Sequence, residues 1–448
     1  MAFLEKLRLD RPIDAAILAY FRIAFGALMF WELIRYLAYE KVHHLWVEPT
    51  FHFKYFGFGW VTPLPEAELY TLMAVLLVAA VLFTLGFLYR ISALIFAIGF
   101  TYLFLLDQAK YLNHFYLICL LAWISVFLPA NTCCALDAKW RPKIKNESAP
   151  AWTIYLLQFQ VAVVYFYGGL AKLNADWLQG EPMRTWLANR ADWAVVGELY
   201  QHWMAPYFFS YGGLLFDLLI VPALLWKRTR MPAFLLAVFF HLSNSQLFTI
   251  GIFPWLGIAI TALFFDPSWP RMLVARFRKS TPSFSPTAFK KKSPVLVPAL
   301  AIYVILQLTI PLRHFVYPGN VSWTEEGHRF SWHMMLRSKK TVAATFVLID
   351  ENSGDTWKLD PNAYLTPRQL EKMLGRPDMI QQFCAYVGEL MKEEGFPNCS
   401  VRAVVYCSLN GRPPSLLIDP KANLAKAKRT LLSSPWILPL NRQPQSNS

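Results

Sequence analysis

Long apolar blocks, broken by short charged joints, leave this chain few ways to fold. The blocks lie at roughly 15–38, 68–89, 91–106, 111–129, 152–171, 206–226, 231–250, 252–266 and 294–312. About 20 apolar residues in a helix cross a typical bilayer, so the pattern reads as a chain that crosses it repeatedly. Composition agrees. Charged residues make up 16% of the chain, against about 25% in an ordinary soluble domain. The 35 Phe, 17 Trp and 20 Tyr are the ring types that gather where hydrocarbon meets water. The expectation is a polytopic all-α membrane protein with about nine transmembrane helices (1–312), followed by an α+β extramembrane domain (313–448).

The net charge of +14 does not point to nucleic acid, because the basic residues cluster in the joints between apolar blocks. One set of joints holds Lys6, Arg8, Arg11, Arg90, Lys139, Arg141, Lys143, Lys145, Lys227, Arg228, Arg230, Arg271, Arg276, Arg278, Lys279 and Lys290 to Lys292. The alternate set holds Lys41, Lys54, Lys110, Arg184 and Arg190, giving 18 against 5. The positive-inside rule then puts the N-terminus in the cytoplasm of an inner or cell membrane and the C-terminal domain outside. The N-terminus carries no apolar run followed by a small-residue cleavage site, so no removable signal peptide is expected. Six cysteines show no metal-like spacing. The adjacent Cys133 and Cys134 are not expected to bridge, while Cys384, Cys399 and Cys407 can include one disulfide.

After the last block the pattern changes. "TVAATFVLIDENSGDTWKLD" reads as two strands around a turn, and "VRAVVYCSLNGRPPSLLID" as a hairpin turning at Asn-Gly. "TPRQLEKML" opens a helix with a Thr cap and a Pro at the first helical position, and a second helical pattern ends at Gly395. The tail "NRQPQSNS" has the composition of a disordered segment.

Polar groups inside apolar blocks are costly and usually face a cavity within the protein. Asn113 and His114 open the fourth block, Lys172 closes the fifth, and His241, Asn244 and Gln246 lie in the seventh. The alternating topology puts all of them toward the outer side. Lys172 follows the stretch "VVYFYGGLA". It can be an anchor that snorkels to headgroups. It can equally be an amine whose charged form is disfavoured by burial, a competent base for a weakly acidic hydroxyl such as a hydroquinone. The Gly-Gly pair lets a flat ligand or another helix approach closely. His114 and His241 are read as satisfied core histidines or as ligand contacts. Arg22, Glu32 and Arg35 read as an internal ion-pair set.

"LGFLYRIS", "YLFLLDQAKYLNHFYL", "GGLAKLNADWLQG", "HLSNSQLFTIGIFP", "WTEEGHRFSWHMMLRS" and, more loosely, "IDPKANLAKA" together span most of residues 80–430. On these segments the sequence resembles the vitamin K-dependent gamma-glutamyl carboxylase family, in its shorter bacterial form, within the wider set of HTTM membrane proteins. The resemblance implies an integral-membrane enzyme that oxidises reduced vitamin K, or a menaquinone-type hydroquinone, with O2 to the epoxide. That oxidation is coupled to removal of a glutamyl γ-proton and addition of CO2. Lys172 falls on the family's base and is catalytic by that resemblance. Asn113 and His114 fall on its quinone site, and His241 precedes the matching "SNSQLF" that holds Asn244 and Gln246. The implied partners are membrane lipids and a glutamate-containing peptide or protein. No metal, biotin or ATP is implied. Alternatives are an epoxidase without productive carboxylation, a non-catalytic quinone- or lipid-binding membrane protein, and a transporter, the last disfavoured by the lack of an inverted repeat.

Overall fold

The structure, a computed structural model, describes residues 9–193, 196–248, 250–281, 284–287 and 294–440. Lys6, Arg8, Lys290 to Lys292 and the tail "NRQPQSNS" lie outside the described residues. Helices occupy each of the nine apolar blocks: α1 (Ala16–Ala38), α2 (Glu66–Leu85), α3 (Tyr89–Leu105), α4 (Asn113–Phe127), α5 (Trp152–Ala171), α6 (Ala205–Leu225), α7 (Arg230–Leu247), α8 (Phe253–Thr261) and α9 (Leu296–Thr309). Among the described residues, five are long and apolar enough to cross a membrane: α1, α2, α5, α6, and α9 with its continuation to Val316. The apolar α3 and α4 are shorter, as is α8 with its continuation to Phe264. α7 is diluted by His241, Asn244 and Gln246.

Local chemistry sets several of these ends. Glu66 and Glu68 place negative charge in the first turn of α2, where the helix dipole favours it. Gly86 closes α2 at φ 65°, a left-handed conformation that glycine adopts without a Cβ penalty. Asp137 then accepts from the backbone N–H groups of Leu88 (2.8 Å) and Tyr89 (3.0 Å), satisfying donors at the start of α3. The helices pack in the order α4, α3, α2, α1, α8, α7, α6, α5, and α9 leans on α5.

Two details depart from the sequence reading of this half. A short antiparallel pair, β1 (Pro12–Asp14) with β2 (Ser148–Pro150), interrupts the all-α architecture. Arg271 locks it, with Nε 2.7 Å from Asp14 Oδ2 and a second nitrogen 3.0 Å from Oδ1. Arg22 is not part of an ion-pair set with Glu32 and Arg35. Arg35 pairs with Glu32 at 2.6 Å, whereas Arg22 is buried and donates to the carbonyls of Ala130 (2.6 Å), Cys134 (2.6 Å) and Thr84 (3.2 Å). These are carbonyls at helix ends and in a loop, which a fork of fixed donors can serve together.

The C-terminal region forms a four-stranded antiparallel sheet in the order β4–β3–β5–β6, with β3 (Lys339–Asp350), β4 (Thr356–Leu359), β5 (Cys399–Leu409) and β6 (Ser415–Leu416). α10 (Pro367–Leu374) starts at a capping box between Thr366 and Gln369, and α11 (Pro377–Glu393) covers β5. Phe346, Ile380, Phe383, Val401, Ala403 and Val405 form the core. All six cysteines are free, so Cys384, Cys399 and Cys407 share no disulfide. The two halves interlock across the expected boundary at 313. Phe53 and Ala109, from the helical half, belong to the core of the sheet region. In return, Trp332 inserts among the helices. The segment before the sheet is irregular, with positive φ at Glu325, Phe330, Trp332 and Met335.

Candidate functional site

The approach of α5 to α6 decides the chemistry around Lys172. A Cβ on Gly169 would come within 2.7 Å of Leu218 Cδ2 and 3.2 Å of the Leu218 backbone nitrogen. A Cβ on Gly168 would come within 3.2 Å of Asp217 Oδ2. The Gly-Gly pair thus serves helix contact, and that contact brings Asp217 to the end of α5. Lys172 caps α5 and is 6% exposed. Its Nζ lies 2.5 Å from Asp217 Oδ2, donates to Gly168 O at 3.1 Å, and sits 5.2 Å from the Trp177 ring centroid.

The loop after Lys172 is held from two directions. Asn174 caps the turn Ala175–Leu178, and Trp177 donates its indole N–H to Ser210 O on α6 at 2.7 Å. Asp176 reaches the sheet region and accepts from Asn410 Nδ2 at 2.7 Å and from Arg412 at 2.8 Å.

Lys172 opens into a cavity of about 1790 Å³ that also takes in Asn113, His114, His241 and Asn244. Ligand pockets commonly measure about 300–1,000 Å³, so there is room for more than one reactant. Asn113 donates to His333 O at 3.1 Å and accepts from the Tyr111 hydroxyl at 2.8 Å. The His114 ring packs beside Phe115 and Phe253. His241 Nε2 is 2.7 Å from the Tyr165 hydroxyl, while its Nδ1 has no partner among the described residues. Gly257 makes room for the ring, since a Cβ there would lie 2.5 Å from it. Gln246 is exposed and does not line the cavity, so one of the expected side chains is not brought to the others. Exposed side chains of α6 (Leu215, Leu219) and α7 (Leu236, Phe239) also line the cavity, which therefore reaches the apolar outer surface of the helices.

The opposite wall comes from the irregular segment before the sheet and from α11's approach: His328, Arg329, Arg337 and Arg376. Arg329 donates to Asp378 at 2.7 Å, and Arg337 contacts Glu325. Arg376 donates to Lys372 O at 2.9 Å and pairs with no carboxylate among the described residues. Burial, with Arg337 and Arg329 beside it, holds the His328 imidazole well below its ordinary range. His333 is lowered to about 3 by burial and by the neighbouring His314, Arg337 and Lys172. Burial also lowers Lys339, to about 8.

Asp217, Tyr165 and the arginine wall were missed from sequence. Asp217 had a signal: it is the sole acidic residue in the apolar run of α6. The arginines had none in charge patterning, because they are distributed over a loop and a helix start that meet only in the fold.

The HTTM domain family matches residues 10–269, and the family described as "Vitamin K-dependent gamma-carboxylase, lumenal domain" matches residues 292–443. No solved structure matches the chain. The helical half and the sheet region are thus matched separately, and the cavity lies where they meet. The HTTM match alone spans more than half of the chain, which therefore belongs to that family, and the lumenal-domain match over residues 292–443 supports the vitamin K-dependent gamma-carboxylase family within it.

Proposed function

We propose that the chain is a quinol-dependent glutamyl carboxylase and epoxidase of the membrane, with Lys172 as the base. The observation that carries this reading is one buried amine, paired with a carboxylate, opening into the same cavity as a set of hydrogen-bonding side chains and a wall of arginines. A reduced naphthoquinone supplies the electrons for reaction with O2 when bound. Lys172 Nζ takes up the quinol proton. Asp217 holds the amine in place and carries the pair's proton before the step, which leaves Nζ neutral to accept the quinol proton. Asn113, His114 and His241 orient ring oxygens, His241 through the Nδ1 left without a partner. The aromatic and aliphatic surround excludes water, which strengthens these interactions. Arg329, Arg337 and Arg376 are suited to a glutamyl carboxylate and to the second carboxylate that CO2 addition creates. The apolar opening between α6 and α7 suits a quinone arriving from the bilayer. In this reading nine helices cross the membrane, with the N-terminus cytoplasmic and the sheet region outside.

Incubation with reduced naphthoquinone, O2, a glutamyl peptide and labelled bicarbonate tests the reading. Epoxide together with label fixed in the peptide supports it. Epoxide alone makes the protein an epoxidase, and neither product makes it a binding protein. A reporter fused after Ser448 should be active only outside the cytoplasm, and activity inside would sink the orientation.

A further inference from the structure

β3 is flanked on both sides over only part of its length. β5 pairs with it from Lys339 to Asp350, through an irregularity between Thr341 and Ala343, but β4 covers only Phe346 to Ile349. Along Lys340 to Thr345 the other edge carries no strand among the described residues. Lys340, Val342, Ala343 and Thr345 are exposed, Val342 by 60%. An uncovered edge templates pairing with another chain, and proteins usually blunt it with proline, inward-pointing charge or a covering element. "KTVAAT" has no proline, and its one charge, Lys340, stands at the end nearest the cavity.

That end is positioned by contacts already described. Arg337, just before the strand, lines the cavity with Lys172. Lys339 is paired with Leu409, and the next residues, Asn410 and Arg412, grip Asp176 in the loop after Lys172. The open edge therefore starts beside the cavity and leads away from it. Six residues at about 3.3 Å each give a track of roughly 20 Å.

We propose that this edge, residues 340–345, receives an extended, glutamate-bearing segment of the substrate protein as an added strand and leads a glutamyl side chain to the cavity. The choice of occupant rests on the carboxylase reading and on charge. Lys340 on the edge, with Arg337 and Arg376 at its cavity end, favours an acidic segment over a second copy of this chain, whose own 340–345 brings another lysine and no carboxylate. Main-chain hydrogen bonds supply affinity in this kind of docking and tolerate varied side chains.

Hydrogen exchange on the full chain in lipid nanodiscs is the test, using a peptide of about twelve residues with central glutamates. The peptide should slow exchange of amides within 340–345. N-methylating one alternate set of its amides should weaken binding by about tenfold or more, and N-methylating the other set should have little effect, because only one set faces the edge. The paired change Val342→Glu with Thr345→Glu should weaken the acidic peptide while quinol oxidation with a minimal glutamyl substrate, too short to lie along the edge, is kept. Equal loss from both N-methylated sets, or no protection in 340–345, would overturn the proposal. So would protection that appears without peptide as protein concentration rises, since that assigns the edge to a second copy. Absence of epoxide from the wild-type protein in the presence of a glutamyl peptide would instead sink the carboxylase reading and leave the exchange result standing.

Discussion

At the scale of the residue, Lys172 is neither free nor at the surface. An anchor needs only a long cationic side chain reaching headgroups, but this amine is buried against Asp217 at 2.5 Å. A base must shed its proton, which arginine, with a pKa above about 12, does not do. Lys172→Arg and Lys172→Ala should therefore both lose quinol oxidation while remaining folded, and a small exogenous amine should partly restore Lys172→Ala. Near-normal turnover in Lys172→Arg would return the residue to a structural role. Asp217→Asn should lower kcat with KM little changed, as expected of a residue that acts through the lysine. The histidine on α7 tests another part of the same cavity, where it meets Tyr165 of α5. His241→Ala removes a partner from the buried Tyr165 hydroxyl and a donor or acceptor from the ligand, at a cost of about 1–3 kcal/mol. Steady-state epoxidation should fall accordingly, and unchanged kinetics would mean that His241 only fills the core.

At the scale of the element, the contact between α5 and α6 builds the amine–carboxylate pair. The glycines permit the approach, so Gly169→Val should force the helices apart against Leu218. Overpacking of this kind costs about 1–3 kcal/mol. A thermal melt in detergent should show the loss, and quinol oxidation should fall further than stability alone explains, because Asp217 is displaced from Lys172. Full activity in Gly169→Val would mean that the pair tolerates separation. The "YGGLAK" spacing made close approach readable from sequence. Whether the partner was a ligand or a helix was not readable, since either presents a flat apolar surface to a glycine.

At the scale of the whole molecule, the sheet region and the helices share one site. His333 sits at that junction, beside His314, Arg337 and Lys172. Its folded-state pKa of about 3 lies below the ordinary 6.5, so the unfolded chain binds its proton first as pH falls. The stability tied to neutral His333 is complete above about 6.5 and drains away as pH drops toward 3. Melting of the wild-type protein should therefore weaken between neutral pH and pH about 5, and His333→Gln should flatten that decline. An equal decline in both proteins would assign the acid sensitivity elsewhere, to His328 first, which burial also holds neutral.

The amino-acid order alone determined the apolar blocks, the hairpins, the Thr366 cap and the change of character near residue 313, because these depend on local periodicity and on neighbours a few residues apart. It also gathered Asn113, His114, Lys172, His241 and Asn244, since block order and charge alternation put their ends on one side. Depth along a helix does not say which way a side chain faces, and so Gln246 was grouped with them although it is exposed. Pairing across distant elements was decided only by the tertiary structure. Asp217 meets Lys172 from 45 residues away, and Arg22 serves loop carbonyls where an ion pair was expected. The free thiols of Cys384, Cys399 and Cys407 and the insertion of Trp332 among the helices are decisions of the same kind. Each depends on which surfaces come into contact once the chain is packed, a property of distances in space that spacing along the chain does not encode.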